Sequence, residues 1–137
     1  MLDDLGLLAA IEMVVEETSG RLPKGAELKV LGEPRRVDRT IELALFRIAQ
    51  EALRNVERHA GAASVDVELS FQGDEITLSV SDDGCGFSPP KNLSQLARRG
   101  SLGLLGMKER AELVGGRFGL RSSPGHGSEL TVTVRAA

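Results

Sequence analysis

The stretch Ile76-Thr77-Leu78-Ser79-Val80-Ser81-Asp82-Asp83-Gly84-Cys85-Gly86-Phe87 decides how the rest of the chain is read. Ile76, Leu78 and Val80 alternate with Thr77, Ser79 and Ser81, the period of a strand with one buried face. The same parity puts Asp82 on the apolar side. A carboxylate turned toward a core costs about 1–3 kcal/mol or more unless a donor meets it. Gly84 and Gly86 follow, and glycine permits tight bends and close backbone approach. An inward acid at a strand end, backed by a glycine turn, predicts a pocket for a ligand that carries hydrogen-bond donors.

Working upstream, Val65, Val67, Leu69 and Phe71 alternate with Ser64, Asp66, Glu68 and Ser70, and Gln72-Gly73-Asp74 closes a hairpin. Before it, Asp38 caps a helix expected to end near His59, with Ile41, Leu45, Ile48, Ala52, Val56 and His59 as its buried stripe. Lys24 to Leu31 reads as a short strand. Residues 4 to 18 read as a first helix, apolar through Leu5, Leu7, Leu8, Ile11, Val14 and Val15, with Glu12, Glu16 and Glu17 on its wet side. Downstream, residues 88–101 are polar and poorly periodic, the signature of a lid. Leu102 to Val114 predicts a third helix, stopped by Gly115-Gly116. A strand then begins at Phe118 and Leu120. Pro124-Gly125-His126-Gly127 turns, and Leu130, Val132 and Val134 mark the last strand. Ser128 shares their parity, so its hydroxyl is expected inward, as Asp82 is. The expected class is α+β: a two-layer α/β sandwich with a mixed, mostly antiparallel sheet and three helices on one face.

The 137 residues fit one domain, 1–137, and 41% hydrophobic with 27% charged content is that of a globular protein. The net charge of −3 and the absence of Trp and Tyr argue against nucleic acid as a partner. One cysteine excludes an internal disulfide, and two histidines with one cysteine argue against a zinc site. No apolar run approaches the roughly 20 residues of a membrane span. The abrupt opening on Met1-Leu2-Asp3-Asp4 reads as a fragment of something longer, with residues 1–20 near the joint.

On the long helix, Glu51, Asn55 and Arg58 are spaced by four and three and share a face beside the apolar stripe. An acid, an amide and a cation there can hold a hydrated divalent cation and phosphates; the same spacing also describes a solvated face. Gly100-Ser101-Leu102-Gly103-Leu104-Leu105-Gly106 feeds a helix N-terminus, where free N–H groups favour anions, although glycines also relieve packing. Ser128 alone reads more readily as a satisfied turn or strand-start residue. His59 is expected in a core or capping role, His126 in solvent, and Cys85 as a small apolar filler, open to oxidation if exposed. Arg98 and Arg99 read as a solvated basic pair that could reach an anion if a lid closes.

Taken in order, Phe46–Ala60, Asp82–Phe87, Ser101–Gly116 and Pro124–Ser128 resemble the N, G1, G2 and G3 boxes of the ATP-binding catalytic domain of bacterial two-component sensor histidine kinases. The subtype resembles the nitrate-sensor and desaturase-sensor kinases, and the implied fold is the Bergerat fold shared with gyrase, Hsp90 and MutL. The resemblance implies ATP and Mg²⁺ as ligands, with Asn55 on the metal and Arg58 on phosphate. Asp82 would accept from the adenine amino group, supported by Ser128. Gly84 and Gly86 would shape the pocket, residues 88–101 would be the ATP lid, and Gly103 and Leu104 would present amides to the phosphates. Glu51 matches the general-base position of the ATPases of this fold; in the kinases that base more often belongs to the acceptor domain. Implied partners are a dimerisation domain bearing the phosphoacceptor histidine in the full-length protein, and a downstream response regulator. The fragment itself is expected to be a cytoplasmic monomer, cut from a parent that is either soluble or membrane-anchored. Two departures stand out. Ser101 replaces the usual first glycine of its box, and no phosphoacceptor helix is present, since neither His59 nor His126 lies in a matching context. The fragment is therefore expected to bind ATP without autophosphorylating alone. An alternative of the same fold is an anti-sigma-factor protein-serine kinase, and a third is a degenerate docking domain.

Overall fold

A computed structural model describes residues 2–86 and 103–136. In chain order the elements are α1 (Leu2–Ser19), β1 (Gly25–Gly32), α2 (Arg39–Asn55) continued by a π-helical turn (Val56–Ala60), β2 (Ser64–Gln72), β3 (Glu75–Asp82), α3 (Leu104–Leu113), β4 (Arg117–Ser122) and β5 (Ser128–Arg135). Five strands form one sheet in the order β1-β2-β3-β5-β4. β1 runs parallel to β2, and the other pairings are antiparallel. The α+β expectation holds: three helices and a mixed, mostly antiparallel sheet.

The alternation that predicted the strands also builds the core. Val65, Leu69, Ile76, Leu78 and Val132 are buried with Ile11 of α1, Leu45, Ile48 and Leu53 of α2, and Met107 of α3. Their alternates, such as Asp66, Thr77 and Thr131, lie on the other face. The expected lid, residues 88–101, lies outside the described residues.

Two helices differ from their sequence pattern. α1 is broken at Gly6, whose φ of 85° and ψ of 178° are non-helical. A β-carbon there would stand 2.7 Å from Arg36 Cδ. α2 is α-helical only to Asn55, and Gly61 at φ 61° ends the π turn that follows. At the other end of α2, Asp38 Oδ1 accepts from Thr40 N at 2.8 Å, the expected cap. Glu42 in the first turn is 2% exposed. It is held by Arg36, with Nε to Oε2 at 3.1 Å and Nη2 to Oε1 at 3.2 Å, and by Val37 N at 3.4 Å.

Candidate functional site

Register brings Asp82 and Ser128 together as directly paired residues of β3 and β5. Both are half-buried. Asp82 Oδ1 accepts from Gly84 N at 2.8 Å. Burial pushes the Asp82 carboxyl above its ordinary pKa, and nearby Asp83 adds to this; the amides of Gly84 and Ser128 pull the other way. Ser128 Oγ shares a hydrogen bond with Ser122 Oγ at 2.8 Å, and Ser122 Oγ also donates to Gly127 O at 3.0 Å.

The turns after β3 and before β5 lock into one another. Gly125 N donates to Cys85 O at 2.6 Å and His126 N to Ser123 O at 3.0 Å. Gly86 has φ 65°, and a β-carbon on it would fall 2.1 Å from Ser123 O. Gly127 has φ 74°, and its β-carbon would fall 2.1 Å from Asp82 O. Those glycines are therefore required by backbone contact between two turns. An open cleft of about 460 Å³ beside them is lined by Asp82, Ser122, His126 and Ser128, among others. His126 is exposed as expected. Cys85 is exposed too, which overturns its reading as an apolar filler: the interlocked turns bring glycine backbone, not its thiol, to the interior.

A second cluster lies between α2 and α3. Gly103, at φ 76°, caps α3 without a side-chain hydrogen bond. A β-carbon on Gly103 would meet Glu51 Oε1 at 2.4 Å, so the carboxylate packs on the backbone at the start of α3. Glu51 also pairs with Arg54 at 3.7 Å. Leu104, 4% exposed, puts its side chain into the core, leaving only its main chain for a ligand. Asn55, half-buried, follows Glu51 by one turn, at the point where α2 passes into the π turn. Arg58 is exposed within that turn, whose wider winding rotates it from the direction an α-helix would give. Residues 87–102, which link the two clusters in sequence, lie outside the described residues.

Two residues escaped the sequence reading. Asp83 accepts from Ala63 N and Ser64 N, both at 2.9 Å, and from Ser64 Oγ at 3.0 Å. These bonds tie the chain entering β2 to the end of β3 and hold the Asp83 carboxyl below its ordinary pKa. Ser122 is the other; its partner Ser128 is fixed by the β4–β5 register, in which the two are paired.

Residues 40–137 match the model of the family described as histidine kinase-, DNA gyrase B- and HSP90-like ATPases. The chain belongs to that family. Among curated relatives, it is 33% identical over 133 residues to the signal transduction histidine-protein kinase/phosphatase DegS of Brevibacillus brevis, covering 97% of this chain and 33% of that protein. It is 33% identical over 134 residues to the sensor histidine kinase ComP of Bacillus subtilis (strain 168), covering 98% of this chain and 17% of that protein. The chain thus spans a third or less of these relatives. Among solved structures, the histidine kinase AdeS of Acinetobacter baumannii superposes with a TM-score of 0.73 at 17% identity, over 93% of this chain and 64% of that one. Full-length ShkA, solved in complex with AMPPNP, gives 0.70 at 23% identity over 97% of this chain and 30% of that one. The fold is that of these ATPase domains, and membership of the family makes this an ATP-binding domain of the histidine-kinase type. The relatives named are histidine kinases, which does not favour the protein-serine kinase alternative.

Proposed function

We propose that the pocket at the paired ends of β3 and β5 holds the adenine of ATP. Asp82 accepts from the exocyclic amine, and Ser128, steadied by Ser122, supports the contact directly or through water. The observation that carries this reading is the half-buried Asp82 carboxylate, held by few donors and pushed toward protonation by burial. A ligand amine supplies the missing donor and favours the charged form. AMPPNP in the ShkA structure supports the same reading.

Toward α2, Asn55 offers its carbonyl oxygen to Mg²⁺, Arg58 reaches a phosphate, and Gly103 and Leu104 present main-chain N–H groups at the uncapped start of α3. Among the described residues no three His, Cys, Asp or Glu side chains gather into a metal cage. This fits an ion that arrives with the nucleotide and keeps phosphate and water oxygens as most of its ligands. When bound, Mg²⁺ supplies charge neutralisation along the phosphate chain. Glu51 matches the general-base position of the ATPases of this fold; its contact with Gly103 and its pairing with Arg54 also suit it to positioning the start of α3. Residues 88–101 serve as the lid.

In a longer protein, this domain delivers the γ-phosphoryl group to a histidine on a separate helical dimerisation domain. The new bond forms from an imidazole nitrogen to phosphorus as the bond to the β–γ bridging oxygen breaks and ADP leaves. Catalysis by this part is positioning and charge neutralisation. A response regulator receives the phosphoryl group next. As a user of ATP, the domain works in the cytoplasm. No helix among the described residues is long and apolar enough to cross a membrane. Calorimetric titration of ATP–Mg²⁺ into the wild-type chain and an Asp82→Ala variant tests the pocket. Saturable binding by wild type and at least about tenfold weaker binding by the variant are expected. Equal binding by both, or none by wild type, removes the proposal.

A further inference from the structure

β1 is an edge strand: β2 takes one side of it, and no strand among the described residues meets the other. Ala26 N donates to Ser19 Oγ at 3.0 Å, and Ser19 belongs to α1, outside the sheet. The N–H and C=O groups of Ala26 therefore face away from β2. By the strand repeat, so do those of Leu28 and Val30. Ser19 covers the first of these donors, which leaves Leu28 N–H and Val30 N–H open to a partner, with the carbonyls of Ala26, Leu28 and Val30 beside them.

Edge strands are ordinarily guarded by charge, proline or shortness. β4, the other edge, has six residues, and its only charges are the like pair Arg117 and Arg121. β1 has eight residues without proline, and its core-side Ala26, Leu28 and Val30 are only half-buried. On its solvent face stand Glu27 and Lys29, both exposed. Neither has an ion-pair or side-chain hydrogen-bond partner among the described residues. Register sets Glu27 beside Asp66, and like charges directly opposite are destabilising. A cation on the free side of Glu27 offsets that repulsion, and an anion on the free side of Lys29 extends the row that Lys29 forms with Glu68. A second copy of the chain does not fit this edge. α1 packs on β1 and on α2. Two β1 strands paired at about 4.8 Å would bring two α1 helices closer than the roughly 8–10 Å that helix packing needs. A bare extended segment brings no helix layer with it.

We propose that the free edge of β1 docks an extended segment of a partner protein, which adds to the five-stranded sheet as a further antiparallel strand. Leu28 and Val30 exchange main-chain hydrogen bonds with it. Its alternate apolar side chains continue the core-side row of Ala26, Leu28 and Val30. A basic residue stands opposite Glu27 and an acidic one opposite Lys29. From its N-terminus the segment is apolar, acidic, apolar, basic, apolar.

The test uses the chain itself and a fluorescently labelled peptide, Thr-Val-Glu-Val-Lys-Val-Thr, followed by anisotropy. Its control is the same peptide N-methylated at the valines that face Leu28 and Val30, which keeps every charge and removes the strand hydrogen bonds. The unmodified peptide binds saturably, and the N-methylated one does not. Glu27→Lys weakens binding about fivefold or more, and a peptide with Glu in place of its Lys recovers it. Leu28→Pro, tolerated on an edge where the lost N–H faces outward, abolishes binding. ATP affinity of both variants stays at the wild-type value, since β2 separates β1 from β3, so failure here is separable from failure of the nucleotide pocket. No binding by the wild-type chain, equal binding of the two peptides, or binding insensitive to Glu27→Lys overturns the proposal. So does self-association of the chain that Leu28→Pro abolishes, which gives the edge to a second copy.

Discussion

At the end of β3, Asp82 is half-buried beside the amides of Gly84 and Ser128, while Asp83 is exposed and accepts two amides and a hydroxyl. Their linkage to pH therefore has opposite sign. The Asp82 pKa is raised by folding, so its contribution to stability is full below the unfolded value and is lost as pH rises through the folded one. The Asp83 pKa is lowered, so its contribution is present at neutral pH and lost as pH falls through its folded value. Urea midpoints recorded from neutral pH down to about pH 3 separate the two, since the Asp83 contribution is lost only below the ordinary carboxylate range. Asp82→Asn is at least as stable as wild type at neutral pH, and its advantage shrinks on acidification. Asp83→Asn is less stable at neutral pH and loses less than wild type in acid. A gap that moves the other way in either variant refutes the assignment of partners. Strand parity made Asp82 legible in the sequence. Asp83 was not, because its donors belong to Ala63 and Ser64, whose closeness depends on the β2–β3 register.

Among the elements, α2 carries most of the candidate site and is anchored at its start by a buried acid. Glu42 is 2% exposed, and Arg36, 54% exposed, supplies two of its three donors. Arg36→Ala leaves that carboxylate with one backbone amide and costs about 2–3 kcal/mol. Chemical denaturation measures it. The paired replacement Arg36→Leu with Glu42→Leu recovers part of the loss, because no buried charge remains; failure to recover any would mean Arg36 acts by packing on Gly6 instead. Helix boundaries mark where sequence pattern stops being informative. A stripe at steps of three and four predicts an α-helix through His59, whereas α2 is α-helical only to Asn55 and a π turn follows, a change of winding that hydrophobic spacing does not encode. Gly6 in an apolar run reads as a small propensity cost, and only the Arg36 side chain lying across it reveals a break.

Across the whole molecule, the strand order separates two kinds of neighbour. β2, β3, β5 and β4 pair antiparallel, and three of them lie side by side at the centre or just within it. β1 joins by its one parallel ladder, after a crossover through α2, and it is an edge strand whose burial pattern has no fully buried residue. Its remaining support is α1, packed on it and on α2. In amide hydrogen exchange, residues 25–32 therefore open by a sub-global route of lower free energy than residues 65–80, which exchange only with global unfolding. Equal protection of the two strands would contradict this. Traction applied at the N-terminus has the same consequence. α1 and β1 are the segment that yields first, so the paired ends of β3 and β5 keep their geometry under a load that has already parted the edge of the sheet.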